Sequence, residues 1–199
     1  MKIKTKHFLL VLSPLFFAVI TLLLTFSVDS VVIITLLSSV LHELGHLILL
    51  VKYGCKIKSV TLSYYGMKII RENEISLDFG KEIAVCLSGV TVNLVISILF
   101  TVFYLTFKNQ FLLKVSVVNL ILGLFNLLPV GLLDGARALS CFLKYRFDLS
   151  KSEKMLKAIS ICVLIPIIIL SFFLLKLNGN FTLLICSVYL AVSTYSLSY

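Results

Sequence analysis

The stretch Ser38–Lys52, SSVLHELGHLILLVK, decides how this chain is read. Its flanks are apolar and suit a helix in lipid. Its middle carries His42, Glu43 and His46. Ionisable side chains are costly at membrane depth and mark a working site where they occur there. In a helix, residues four apart lie on one face, one turn apart. The two imidazoles therefore point the same way, and Glu43 projects from a neighbouring position.

The surroundings of that stretch set its depth. The chain has 199 residues, 60% of them hydrophobic and 14% charged, with a mean hydropathy of +1.11. A soluble domain carries about a quarter charged residues. Runs without charge account for the difference: Phe8–Val28, Ser30–Leu41, Ile83–Phe107, Val115–Leu133, Ala158–Leu175 and Gly179–Tyr199. The second continues through the histidines to Val51. With 1.5 Å of rise per residue, such helices match a hydrocarbon layer of roughly 30 Å. The expected fold is an all-α polytopic membrane protein with six transmembrane helices, at about 8–28, 30–51, 83–107, 112–130, 157–176 and 179–198. The first run follows Lys2, Lys4 and Lys6 but shows no small-x-small cleavage site before Asp29, so it reads as a retained helix. Residues 1–199 are expected to form one intramembrane domain.

The net charge of +9 does not imply nucleic acid. With the N-terminus inside and six crossings, all of the 18 Lys and Arg residues except Lys108, Lys114 and Lys176 fall on the inner side. This asymmetry predicts cytoplasmic termini, with basic side chains that can touch anionic lipid heads. His7, beside the N-terminal lysines, reads as an interfacial anchor. Cys55, Cys86, Cys141, Cys162 and Cys186 form no close pair and read as small buried hydrophobes.

Two inner loops are longer than turns. The first contains IKSVTLSYYGMKIIRENEISLDFG, Ile57–Gly80, rich in β-formers and punctuated by Gly66. It predicts a small β-hairpin or sheet, about 56–80, between helices two and three at the membrane interface. The second opens with VGLLDGARALSCFLKYRF, where Asp134 can cap a helix from Gly135 to about Arg146. The charged FDLSKSEKMLK then leads to the fifth helix.

His42, Glu43 and His46 form the H-E-x-x-H arrangement, in which two imidazoles hold one zinc ion and the glutamate serves as general base. The plain alternative is a pair of histidines hydrogen-bonded inside a helix bundle with Glu43 as an ion-pair partner. His46 lies roughly 9 Å, and His42 roughly 15 Å, from the helix end at Lys52, inside the inner half of the bilayer. A catalytic zinc needs a third protein ligand and an open position. Asp29 is on the outer side. Glu72, Glu74, Asp78 and Glu82 belong to the interfacial loop or its end, and Asp148 and Glu153 lie among solvated charges. Asp134 directly follows an uncharged run on the same side as His46, with Gly135 beside it, and is the obvious third ligand.

Two amides also stand inside apolar runs. Asn93 and Asn126 can bridge helices by hydrogen bonds, or can bind the substrate or its developing oxyanion. Asn126 precedes Asp134 closely enough to donate to a substrate carbonyl or its developing oxyanion. Pro129 ends helix four.

HELGH in a second membrane helix, followed by NLLPVGLLDG after a fourth, resembles the site-2 protease family of intramembrane zinc metalloproteases. Within it the chain is most similar to the bacterial sporulation-factor-processing branch, without that branch's C-terminal nucleotide-binding module. The resemblance implies a hydrolase cutting peptide bonds in or beside transmembrane segments. It further implies His42, His46 and Asp134 as ligands of one zinc ion and Glu43 as the catalytic glutamate. Asn126 and Pro129 match its N-x-x-P element, and SGVTVN, Ser88–Asn93, resembles its third-helix motif. Val90, Leu132 and Ala136 stand where the family often has proline, proline and glycine. Those differences bear on loop shape and substrate fit, not on ligands. The expected partners are a membrane-protein or membrane-associated substrate, the lipid bilayer and a membrane-protein regulator, in a bacterial cell membrane. The rival readings are a metal-ion transporter or a catalytically silent scaffold using the same cluster. Few polar residues line the other helices, which speaks against a transporter, and Glu43 is unneeded in a scaffold.

Overall fold

The computed structural model describes residues 2–4, 9–12, 30–63, 66–71, 77–179 and 181–196. In chain order the elements are strands β1 (Lys2–Lys4) and β2 (Leu9–Leu12), helix α1 (Ser30–Lys52), and strands β3 (Ile57–Ser63) and β4 (Gly66–Arg71). Helices α2 (Phe79–Phe107), α3 (Gln110–Asn126), α4 (Asp134–Arg146), α5 (Leu149–Asn178) and α6 (Thr182–Ser196) follow. The fold is mostly helical. Among the described residues, three helices are long and apolar enough to cross a membrane: Ser30–Lys52, Phe79–Phe107 and Leu149–Leu177. Helices α3 and α6 are apolar but have 17 and 15 residues.

Several expectations need correction. Among the described residues the strands form a four-stranded sheet in the order β1-β2-β3-β4, which extends beyond the hairpin or sheet expected over 56–80 by adding β1 and β2. Pairing is antiparallel between β1 and β2, parallel between β2 and β3, and antiparallel between β3 and β4. The helix expected over 8–28 does not hold at Leu9–Leu12, where Leu9 faces Ser59 and Leu12 faces Leu62 in a strand pair. A short apolar run serves a buried strand as well as a helix, and here the edge of β3 supplies its backbone partners. The remainder of that span lies outside the described residues.

Helix boundaries also move. α2 begins at Phe79, not 83, with Lys81 and Glu82 in its first turn. α3 ends at Asn126, not 130, three residues before Pro129. α5 begins at Leu149, not 157, because Ser152, Leu156, Ser160 and Leu164 repeat every fourth residue and all are buried. Charge marks where a membrane ends, whereas the buried stripe marks where a helix ends. α6 begins at Thr182 rather than 179, since Gly179 takes a left-handed φ of 65° as the C-cap of α5. Residues 197–199 lie outside the described part. Asp134 is the first residue of α4 rather than its cap, which is Leu133 with extended backbone.

The described chain falls into two compact units, Met1–Leu77 with Thr91–Leu122, and Asp78–Val90 with Gly123–Tyr199. In the first, α1, the later part of α2 and α3 turn polar residues inward. Ser38, His42, His46, Asn93, Ser97, Ser116 and Asn119 are buried, while Leu37, Ile48 and Ile98 are more than 60% exposed. Such an apolar exterior suits lipid as solvent, where internal polar groups bond to one another. Ser97 and Ser116 bridge α2 and α3 at 3.3 Å, and Thr101 meets Ser116 at 2.6 Å. Among the described residues no buried side-chain nitrogen or oxygen lacks a partner.

In the second unit, Val130, Leu164 and Leu190 form a buried core with Phe125, Leu128 and Leu133 against it. The loop before α4 is tied down at two points. Ser160 donates from α5 to the Pro129 carbonyl at 2.7 Å. Gly131, with φ of 58°, lies so close to Ser193 of α6 that a side chain there would collide with its hydroxyl.

Candidate metal centre

His42 and His46 are both buried on α1, 5% and 8% exposed. Their Nε2 atoms lie 3.2 Å apart and their rings stand edge to face. The helical i, i+4 spacing brings the side chains together, and the neighbouring helices decide how the rings turn. His42 Nδ1 is hydrogen-bonded to Asn93 Oδ1 of α2 at 2.5 Å. Asn93 Nδ2 donates to Asn119 Oδ1 of α3 at 2.9 Å. Asn119 Nδ2 donates to Ser38 Oγ, one turn before His42 on α1, and to the Val115 carbonyl, each at 2.9 Å. Glu43 follows His42 on α1 and is half-buried.

Asp134 opens α4, where the positive end of the helix dipole favours a carboxylate. It is 6% exposed. Gly135 is required beside it. A Cβ there would run into the Leu127 carbonyl and stand 2.8 Å from the Leu128 oxygen. The close return of the chain onto the end of α3 thus holds Asp134 in place through backbone packing. Asn126, the last residue of α3, is half-buried.

By donor type and burial, the His42–His46 pair of the first unit can supply two nitrogen ligands to a metal ion, and Asp134 of the second unit is a buried carboxylate. Asn93 joins the histidines as a fully buried hydrogen-bond partner of His42, not as a group facing solvent. Asn119 is absent from the set drawn from the sequence. Its signal is nevertheless the one that picks out Asn93 and Asn126, an amide inside an apolar run. Ser38 carries no such signal, since serine is tolerated in membrane helices by bonding to its own backbone.

Residues 108–170 match Peptidase family M50. A zinc metalloprotease of Methanocaldococcus jannaschii is 33% identical over 151 residues, which is 73% of this chain and 43% of that protein. A relative from Synechocystis is 35% identical over 107 residues, 51% of this chain and 28% of that one. The chain thus spans less than half the length of these curated relatives. The solved structure of a site-2 protease from Methanocaldococcus jannaschii matches with a TM-score of 0.68 at 25% identity, over 100% of this chain and 95% of that one. With its lipid-suited helices and its buried histidine pair, this membrane protein belongs to the site-2 protease family of M50 peptidases.

Proposed function

We propose that the protein is an intramembrane zinc metalloprotease that hydrolyses peptide bonds in or beside transmembrane segments of membrane-protein or membrane-associated substrates. The observation that carries this reading is the buried His42–His46 pair on an otherwise apolar helix, with Glu43 beside it. Family membership supports the same chemistry.

The donor set fits zinc. Two imidazole nitrogens and a carboxylate oxygen are ordinary partners of a catalytic zinc, which leaves a position open for water. His42, His46 and Asp134 would hold one ion. Bound there, zinc would supply Lewis acidity and lower the pKa of a water molecule. Glu43 takes a proton from the attacking water as its oxygen bonds to the substrate carbonyl carbon. It returns that proton to the amide nitrogen as the C–N bond breaks. Asn126 donates to the carbonyl oxygen as negative charge builds on it.

A substrate helix must unwind first, because its own hydrogen bonds shield the peptide bond. β4 ends the sheet order, so its outer edge suits pairing with an extended substrate segment. The sheet lies at the membrane interface. The protein crosses a bacterial cytoplasmic membrane six times with both termini in the cytoplasm, a reading supported by the inner bias of Lys and Arg. A membrane-protein regulator is a further expected partner.

The test compares membrane-protein fragments in cells carrying the wild type and the Glu43→Gln variant. Fragments of transmembrane substrates that appear only with the wild type support the protease. Identical fragment sets in both would overturn it in favour of a scaffold or transporter.

A further inference from the structure

We propose that Asn119 and Asn93 form a polarity relay that sets the tautomer of His42, and that both are positioning residues for the metal centre. The inference rests on the zinc reading above only for the purpose of the relay, not for its direction.

The direction follows from elementary hydrogen-bond chemistry. The Val115 backbone carbonyl can only accept. The Asn119 atom 2.9 Å from it must therefore be the NH2 group, which also donates to Ser38 Oγ. That leaves Asn119 Oδ1 pointing to Asn93. An amide oxygen also can only accept, so the Asn93 atom 2.9 Å away must be its NH2 group. Asn93 then presents its oxygen to His42 Nδ1. Nδ1 must carry the proton. In a neutral imidazole this puts the lone pair on Nε2, the atom that faces His46 Nε2 at 3.2 Å. A backbone carbonyl on α3 thus dictates, through two amides, which nitrogen on α1 acts as ligand.

Each link is buried. Asn93 is 0% and Asn119 1% exposed. Water has no access to replace a lost partner, so reversing one amide reverses the next. Hydrogen bonds of this kind from the outer nitrogen of a ligating histidine fix its ring and its tautomer, and losing them costs about 10–100-fold in metal affinity. This role for Asn93 replaces the one of binding substrate, because its amide is committed at both ends.

The experiment uses histidine labelled with 13C and 15N in the full chain, in detergent micelles stripped of zinc and held where imidazole is neutral. His42→Gln assigns the resonances. The wild type is expected to show His42 as the Nδ1–H tautomer, and an Nε2–H spectrum would overturn the relay without any variant. Asn119→Leu keeps the branched shape and removes the acceptor. It is expected to release the Asn93 amide, mix or invert the His42 tautomer and weaken zinc binding about 10–100-fold in chelator competition. Asn119→Asp restores the acceptor towards Asn93 and is expected to recover the Nδ1–H signal. A folded Asn119→Leu variant with unchanged tautomer and unchanged zinc affinity would also overturn the proposal. Failure of the zinc reading looks different: the wild type would bind no zinc while the tautomer spectra still obeyed the relay.

Discussion

His42 Nε2 and His46 Nε2 face each other at 3.2 Å across one turn of α1, with ring centroids 4.9 Å apart. Two imidazole lone pairs at that distance repel unless a proton or a cation lies between them. Helical spacing brings the side chains near each other. The convergence of the ring nitrogens comes from the hydrogen bond that Asn93 makes on the far side of His42.

Purified protein is expected to hold about one zinc ion per chain. His46→Ala and Asp134→Ala should each lose most of it, since two remaining ligands hold zinc weakly. Metal analysis after detergent purification checks this. Full zinc content in Asp134→Ala would remove that residue from the ligand set.

Glu43→Gln keeps the size of the side chain and removes its basicity. Zinc content and fold are expected to persist, while cleavage of a co-purified transmembrane substrate falls by a factor of roughly 10²–10⁴. Wild-type turnover in the zinc-loaded variant would show that another group moves the proton.

Asn126→Ala is expected to leave zinc bound and to slow turnover by about 10²–10³, the usual loss for one oxyanion donor. The fall should lie in kcat more than in KM, because the charge it meets develops only in the transition state. A loss confined to KM would make Asn126 a ground-state contact.

Gly135→Ala tests the packing that carries Asp134. Its methyl group would meet the Leu127 carbonyl, which is backbone and cannot swing away. A destabilisation of about 1–3 kcal/mol is expected, with reduced zinc retention. Thermal unfolding in detergent together with metal analysis reads both. Unchanged stability would mean that the end of α3 yields without cost.

Topology is open to labelling in a cysteine-free background. A cysteine at Lys108, in the turn between α2 and α3, is expected to react from outside intact cells, and one after Tyr199 only after permeabilisation. External labelling of the C-terminus would contradict cytoplasmic termini.

The buried histidine pair was legible because its geometry is local. His42 and His46 are four residues apart, and any helix puts them on one face. Asp134 is proposed as the third ligand by elimination among few acidic residues, and the close approach that Gly135 allows shows in its packing against the Leu127 carbonyl. The long apolar runs announced helices for lipid, since composition reports the solvent a surface meets. Helix ends were read less well. The start of α5 at Leu149 lies inside a charged stretch, where hydropathy is silent and only the buried repeat of Ser152, Leu156 and Ser160 speaks.

What the tertiary structure alone decided is which way the buried amides point. The links from His42 to Asn93, from Asn93 to Asn119 and from Asn119 to Ser38 span 51, 26 and 81 residues. No periodicity reaches across such distances. An asparagine in an apolar run says that some partner exists, and the chain before folding offers many. Packing α1 against α2 and α3 selects the partners at each end of each amide. A carbonyl that can only accept then sets the sense of the whole chain of bonds, down to the proton on His42.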